Sequence, residues 1–183
     1  HNNALARRGE PKQIIRGMGE PSIECTKTLK QKSDVIRATG GVAVVQSAYS
    51  GGKPAFGGGP GNVQTIVDRG FDYKEAVAQI VIGRSFDNGL ICAGNQSVIM
   101  PREDAAEIIG LFKENKAFYV DEPALVEKFR VALFPDGLHI NGELVGQTQQ
   151  KIADAAGVEI PADTSIILLR GDDSKIGAPD PIC

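Results

Sequence analysis

Three cysteines and two histidines are the side chains in this sequence best suited to covalent or acid–base chemistry. Cys92 lies three residues beyond a turn signal, in Phe86-Asp87-Asn88-Gly89-Leu90-Ile91-Cys92-Ala93. A thiol between a helix end and a strand can be held rigidly and still be approached by a ligand, as a nucleophile must be. The same thiol can also be a small buried hydrophobe, the usual fate of a free cysteine, and spacing alone favours that reading. Cys25 falls four residues before Leu29 on what reads as the inward face of a helix, and Cys183 is the last residue. An odd number of cysteines at no metal-like spacing argues against a disulfide framework and against a zinc site. His139, in Gly137-Leu138-His139-Ile140-Asn141, alternates with two apolar neighbours as in a strand with its imidazole on the polar side. A Cys/His pair of the protease kind would need His139 to fold back onto Cys92, and nothing in the spacing brings it there.

Two glycine segments could serve a ligand. Thr39-Gly40-Gly41 lies between a strand and a helix, so helix N-terminal amides could face a phosphate or another anion; a tight strand–helix turn would look the same. Gly57-Gly58-Gly59-Pro60-Gly61 lets a backbone or ligand approach closely, and reads equally as a hinge between domains.

The elements that position these residues alternate between helix and strand. A short helix over 3–8 is followed by a strand at Gln13-Ile14-Ile15, a helix capped by Ser22, a strand at 35–38 and a helix through Val42, Val45 and Tyr49. The stretch 57–62 should be neither helix nor central strand. Beyond it come a strand at 63–67 and a helix opened by Asp72 with Glu75 three residues on. A strand at 97–100 precedes helices whose inward stripes hold Ile108 and Phe112, then Val126, Phe129 and Leu133, the latter helix starting at Asp121. A short helix over 147–156 ends at Gly157, and a strand spans 165–169. Strand, turn, helix, strand at this pitch predicts an α/β fold with parallel strands.

The 183 residues are 42% hydrophobic and 23% charged, a globular composition. Net charge runs from +4 over residues 1–37 through 0 over 38–99 to −7 over 100–183, so no basic field for nucleic acid is present. No apolar run approaches the ~20 residues that span a bilayer, and no signal-peptide pattern opens the chain. The expectation is a soluble, cytoplasmic protein without nucleic-acid or membrane partners. Both ends read as cut, which predicts a piece of a larger α/β enzyme.

Taken in order, the segments resemble the aldehyde dehydrogenase superfamily, and within it the CoA-acylating branch. They are Ala38-Thr39-Gly40-Gly41, then Ala48-Tyr49-Ser50-Gly51-Gly52-Lys53-Pro54-Ala55-Phe56-Gly57-Gly58-Gly59-Pro60-Gly61-Asn62, then Ser85-Phe86-Asp87-Asn88-Gly89-Leu90-Ile91-Cys92 with Gln96 beyond. Leu144-Val145-Gly146-Gln147 and Lys151-Ile152-Ala153 add to the resemblance, which runs over nearly the whole chain. It reverses the balance at Cys92. The resemblance implies that Cys92 is the nucleophile, forming a thiohemiacetal with an aldehyde and then a thioester that coenzyme A accepts as acyl-CoA. The Cys92 N–H is the oxyanion donor this sequence can offer.

It also implies NAD or NADP as hydride acceptor, with Thr39, Gly40 and Gly41 near the adenosine end and Gly58 and Gly59 near the nicotinamide. Hydrolytic members carry a water-activating glutamate, and its position falls on Gly58; no carboxylate lies between Lys53 and Val67. Residues 1–61 are then expected to be the C-terminal part of a Rossmann-like NAD(P)-binding domain, and 62–183 a truncated catalytic domain bearing the thiol. The complete enzyme is expected to be a homo-oligomer acting on a small aldehyde, in the cytoplasm or a bacterial microcompartment. Two alternatives stand beside this. The chain could be a non-catalytic binding or assembly domain that uses its acidic last 84 residues, or a superfamily member with phosphate or water as acyl acceptor.

Overall fold

A computed structural model describes residues 3, 6–9, 16–59 and 61–171. The expected strand at 13–15 and the proline-rich tail, with Cys183, lie outside them, as does part of the expected helix over 3–8. Backbone contacts divide the chain into residues 1–60 and 61–183. The fold is α/β, and its strand pairs are parallel.

The first unit contains α1 (Ile23–Lys32), β1 (Ile36–Thr39), α2 (Val42–Tyr49) and β2 (Ala55–Gly58). Ser22 opens α1 as its spacing predicts, its hydroxyl accepting from Cys25 N–H at 3.0 Å. The expected inward face of α1 is not found. No residue of α1 is fully buried, Cys25 is half-buried and Leu29 is 49% exposed, so no described element of this unit closes over that face. β1 pairs with β2 from Ile36↔Ala55 to Thr39↔Gly58. Gly57 and Gly58 are therefore strand residues, in a strand whose one described partner is β1. The strand tolerates glycine here for a packing reason. A β-carbon on Gly57 would lie 2.6 Å from Val45 Cγ1 and 2.9 Å from Tyr49 Cε2, so the missing side chain lets α2 lie down on β2. Tyr49 accepts a hydrogen bond from Gly57 N–H at 3.0 Å through its phenol oxygen.

In the second unit, β3 (Val63–Ile66) pairs with β4 (Asn95–Ile99), and β5 (Ala117–Val120) with β6 (Ile166–Leu169). α3 (Tyr73–Ser85) carries the chain from β3 toward β4, and α4 (Ala105–Glu114) joins β4 to β5. α5 (Pro123–Leu133) and α6 (Gln149–Ala156) lie between β5 and β6. Asp72 caps α3 by accepting from Lys74 N–H at 2.9 Å and Glu75 N–H at 3.2 Å. Gly157 ends α6 in the left-handed conformation (φ 64°) expected of a C-terminal glycine. One core forms where α3 and α4 meet the strands, around Val77, Ile80, Ile108 and Phe112. A second forms where α5 and α6 pack, around Val120, Phe129, Ala153 and Ala156. Phe112 and Phe129 are fully buried, each side chain contributing about 1.5–3 kcal/mol.

Three local expectations are corrected. β5 has no counterpart in the sequence reading, because the break before it is Lys116 at φ 65° rather than a glycine or proline. The helix expected from Asp121 starts at Pro123, with Glu122 as its N-cap residue. Residues 138–140 are not a strand. The Asp136 carboxylate accepts from Leu138 N–H at 2.9 Å and His139 N–H at 2.7 Å, and this turn chemistry overrides the alternation.

Candidate functional site

The loop that presents Cys92 is built from backbone conformations that few side chains tolerate. α3 ends at Ser85, and Phe86–Gly89 form a kinked turn that is not regular helix. Within it Asp87 (φ 50°, ψ 40°) and Asn88 (φ 50°, ψ 33°) are left-handed, followed by Gly89 at φ 75°. Aspartate and asparagine visit this region most readily after glycine, which is why this tripeptide can turn the chain. Leu90 N–H closes the reversal on Asp87 O at 3.1 Å. Gly89 also leaves room for the Arg84 guanidinium, whose Cζ would lie 2.9 Å from a β-carbon placed there. Burial pushes the pKa of Arg84 below its ordinary value. An arginine keeps its charge at neutral pH even so.

Beyond that turn, Ile91–Gly94 form a second reversal, with Gly94 N–H donating to Ile91 O at 3.0 Å. Cys92 sits in it as a free, exposed thiol, and the buried-hydrophobe reading does not hold for it. The Cys92 N–H makes no hydrogen bond within the described residues, so it is available to an acceptor from outside. Gly61 passes beneath; a β-carbon on it would touch Cys92 O at 3.5 Å. Val63 pairs with Asn95 while Gln64 pairs with Ser97, which leaves Gln96 as the extra residue of a bulge. The Gln96 amide donates to Gly61 O at 3.3 Å and ties the start of β4 to the segment before β3.

Packing around the loop is tight. A β-carbon on Gly83 would lie 2.6 Å from Asn95 Oδ1. Asn95 in turn donates to Thr65 Oγ1 at 2.7 Å. Gln96 entered the sequence reading only through resemblance and Gly83 not at all. A bulge register and a helix-to-loop contact leave no periodic signal to read. A groove of about 410 Å³ runs along β3 and α3, past Thr65, Phe71, Glu75 and Gln79, and Cys92 is not part of its lining.

The first unit brings together most of the other expected site residues. Thr39 at the end of β1 is paired with Gly58 at the end of β2, and Gly40 N–H donates to Gly58 O at 3.1 Å. Gly41 is the N-cap residue of α2 and makes no side-chain cap, and a β-carbon there would meet nothing within 4 Å. The N–H groups of Val42 and Ala43 have no acceptor within the described residues. Backbone amides at a helix start suit phosphate oxygens, so this turn fits the anionic part of a dinucleotide. Gly59 follows β2, exposed. Among the described residues no cluster of three metal-ligating side chains occurs.

No family model matches the chain. Its sequence is 48% identical over 182 residues to succinate-semialdehyde dehydrogenase (acetylating) of Clostridium kluyveri, a match to 100% of this chain and 40% of that protein. Its fold matches the acetylating aldehyde dehydrogenase of Geobacillus thermoglucosidasius with a TM-score of 0.83 at 33% identity, over 94% of this chain and 38% of that one. The chain is a relative of the acetylating aldehyde dehydrogenases. A third relative, the propionaldehyde dehydrogenase of Rhodopseudomonas palustris, was solved with bound CoA and an acylated cysteine. It matches with a TM-score of 0.80 at 30% identity, over 93% of this chain and 39% of that one. Against each of these dehydrogenases the chain spans 40% of the length or less.

Proposed function

We propose that this chain carries the nucleophile of a CoA-acylating aldehyde dehydrogenase, and that the nucleophile is Cys92. The observation that carries the reading is the free, exposed thiol at the exit of the left-handed Asp87-Asn88-Gly89 turn. Similarity of all of this chain to part of an acetylating dehydrogenase supports it, as does the acylated cysteine of a solved relative. In this reading the Cys92 thiolate adds to the aldehyde carbon. The resulting oxyanion takes a hydrogen bond from the Cys92 N–H, which has no other acceptor among the described residues. When bound, NAD or NADP supplies the acceptor for the hydride that leaves this carbon. What remains is a thioester on Cys92, which the thiol of coenzyme A takes over as acyl-CoA while Cys92 leaves as thiolate.

Val42 and Ala43 N–H groups, with Thr39, Gly40 and Gly41, would hold the phosphate side of the dinucleotide, and Gly58 and Gly59 would leave room at its reactive end. Position 58 offers no general base, since the segment between Lys53 and Val67 contains no carboxylate. Water is then a poor acceptor, and an external thiol is the natural one. The free thiols at Cys25 and Cys92 fit the reducing cytoplasm, where this reading puts a homo-oligomeric enzyme acting on a small aldehyde. Residues 1–61 would serve the dinucleotide, and 62–183 the thiol.

The test uses the protein at its natural length, with aldehyde, NAD or NADP, and CoA, phosphate or water as separate acceptors. Acyl-CoA and continuous production of reduced nicotinamide should appear only with CoA, whereas before CoA is added a single equivalent of reduced nicotinamide should accompany a peptide in which Cys92 carries the acyl mass. Cys92→Ser should abolish both signals. Retained turnover in Cys92→Ser, or an adduct mapped to another residue, would overturn the assignment.

A further inference from the structure

We propose that the loop from Asn141 to Gln147 is a bracket for the nucleophile's turn, and that Gly146 and Asn88 are positioning residues for Cys92. The inference rests on Cys92 being the reacting thiol.

The bracket grips the turn at two points. Asn88 Nδ2, from the middle of the left-handed run, donates to Gly146 O at 3.0 Å across 58 residues of sequence. Leu90, two residues before Cys92, lies directly on the α-carbon of Gly146. A β-carbon on Gly146 would sit 2.5 Å from Leu90 Cδ1 and 2.9 Å from its Cγ. Gly146 is itself left-handed, at φ 72°, so glycine is required there both by conformation and by space. One contact therefore holds the turn at its apex and the other at its exit.

The loop can act as a bracket because it is anchored at its far end. Asn141 N–H donates to Leu133 O at 2.7 Å, and its side-chain amide to Ala132 O at 3.4 Å, at the C-terminal end of α5. Leu144 N–H returns to Asn141 O at 3.0 Å, and Gln147 N–H to Leu144 O at 3.2 Å. The Leu144 side chain is buried. A run of left-handed residues closed by one backbone hydrogen bond has little local reason to keep a single shape. The contacts at Gly146 supply one from a packed part of the unit. A nucleophile displaced by about 1 Å loses on the order of a hundredfold in rate, so this holding bears on chemistry and not only on stability.

The experiment uses the full chain, with peptide-resolved hydrogen exchange and iodoacetamide alkylation. Cys92 is read against Cys25, which lies in the other unit and serves as internal reference. Gly146→Ala should raise exchange in peptides covering 86–95 by about tenfold, with little change over 105–120. It should also change the Cys92:Cys25 alkylation ratio by about threefold or more. In a Leu90→Ala background, where room for the new methyl exists and only the strain of the left-handed backbone remains, Gly146→Ala should have a smaller effect, about threefold. Asn88→Gly keeps the left-handed backbone but loses the amide donor with the rest of the side chain, and should raise exchange over 86–95 by about threefold, as should Asn88→Asp, which keeps the side chain's size and removes the donor without freeing the backbone. Because neither adds bulk, they also carry the test if Gly146→Ala unfolds the chain.

Unchanged exchange over 86–95 in Asn88→Gly, or an equal effect of Gly146→Ala with and without Leu90, would overturn the bracket. The two possible failures separate. Acyl transfer that survives Cys92→Ser removes the nucleophile and with it the positioning role, whatever exchange reports. Exchange and alkylation that ignore both substitutions remove the bracket even when Cys92→Ser is inert.

Discussion

Gly57→Ala is the sharpest test of how the first unit is packed, because ordinary reasoning about glycine gives the opposite sign. At a backbone compatible with alanine, replacing glycine stabilises a protein by about 0.4–1 kcal/mol through the unfolded chain. Here the new methyl would lie 2.6 Å from Val45 Cγ1 and 2.9 and 3.2 Å from Tyr49 Cε2 and Cζ. Carbon atoms rest at ~3.5–4.0 Å, so α2 and β2 must separate by about 1 Å. Neither neighbour yields easily. Val45 is β-branched and holds essentially one rotamer in a helix. Tyr49 is tied by its phenol oxygen to Gly57 N–H.

The expected cost is that of overpacking, about 1–3 kcal/mol. It should appear as a lower urea midpoint for exchange in peptides covering 36–58, with peptides covering 105–120 unaffected. Val45→Ala combined with Gly57→Ala should recover part of the loss, since it removes the shortest contact. A Gly57→Ala chain as stable as the parent, or more stable, would refute the claim that glycine is there to admit the helix.

Three further outcomes follow from the second unit. Phe129→Ala empties a fully buried ring from the α5–α6 core and should cost about 3–5 kcal/mol, read as the urea midpoint of peptides covering 118–169. Asp72→Ala removes both acceptor bonds at the start of α3 and should cost about 1 kcal/mol, visible as faster exchange in the first turn of that helix. Asp136 is held well below the usual carboxylate range by the His139 and Leu138 N–H groups, and then by the His139 side chain. A depressed carboxylate stabilises the folded loop above its unfolded pKa of ~3.9, and that contribution fades as pH falls through the lower folded value. Exchange over 136–141 should therefore stay slow down to about pH 4 and quicken in stronger acid. In Asp136→Ala it should be fast throughout, with no such acid step.

How much of this was legible beforehand depended on whether a signal is local. Ser22, Asp72 and Gly157 act on amides or dihedrals within a few residues of themselves, and each cap stands where its spacing predicts. Phe129 and Ile108 follow helical periodicity into their cores. The misses are of another kind. β5 was hidden because a lysine at φ 65°, not a glycine, separates it from α4. β2 was hidden because glycine lowers strand propensity, and only the ring of Tyr49 explains why it is used there. His139 alternates like a strand residue, but one carboxylate three residues earlier captures its backbone. At the candidate site, the spacing of Cys92 did not by itself distinguish a nucleophile from a buried thiol. The ordered series of segments carried the proposal of a nucleophile, while the tie from Asn88 to Gly146 joins residues too distant for any spacing to announce.

The parallel pairing of every described strand also orders how the chain can assemble. A parallel ladder cannot be zipped from a hairpin, so each of the three waits for its crossover to be traversed. Ile36 with Ala55 closes the shortest loop and Ala117 with Ile166 the longest. The entropy lost on closure grows slowly with loop length, which favours β1–β2 as the earliest ribbon and β5–β6 as the last. On a ribosome the delay is longer still, because β6 emerges only after α5 and α6. Until then β5, apolar apart from the Tyr119 hydroxyl, has no β6 along that edge and stays open there to pairing with another nascent chain.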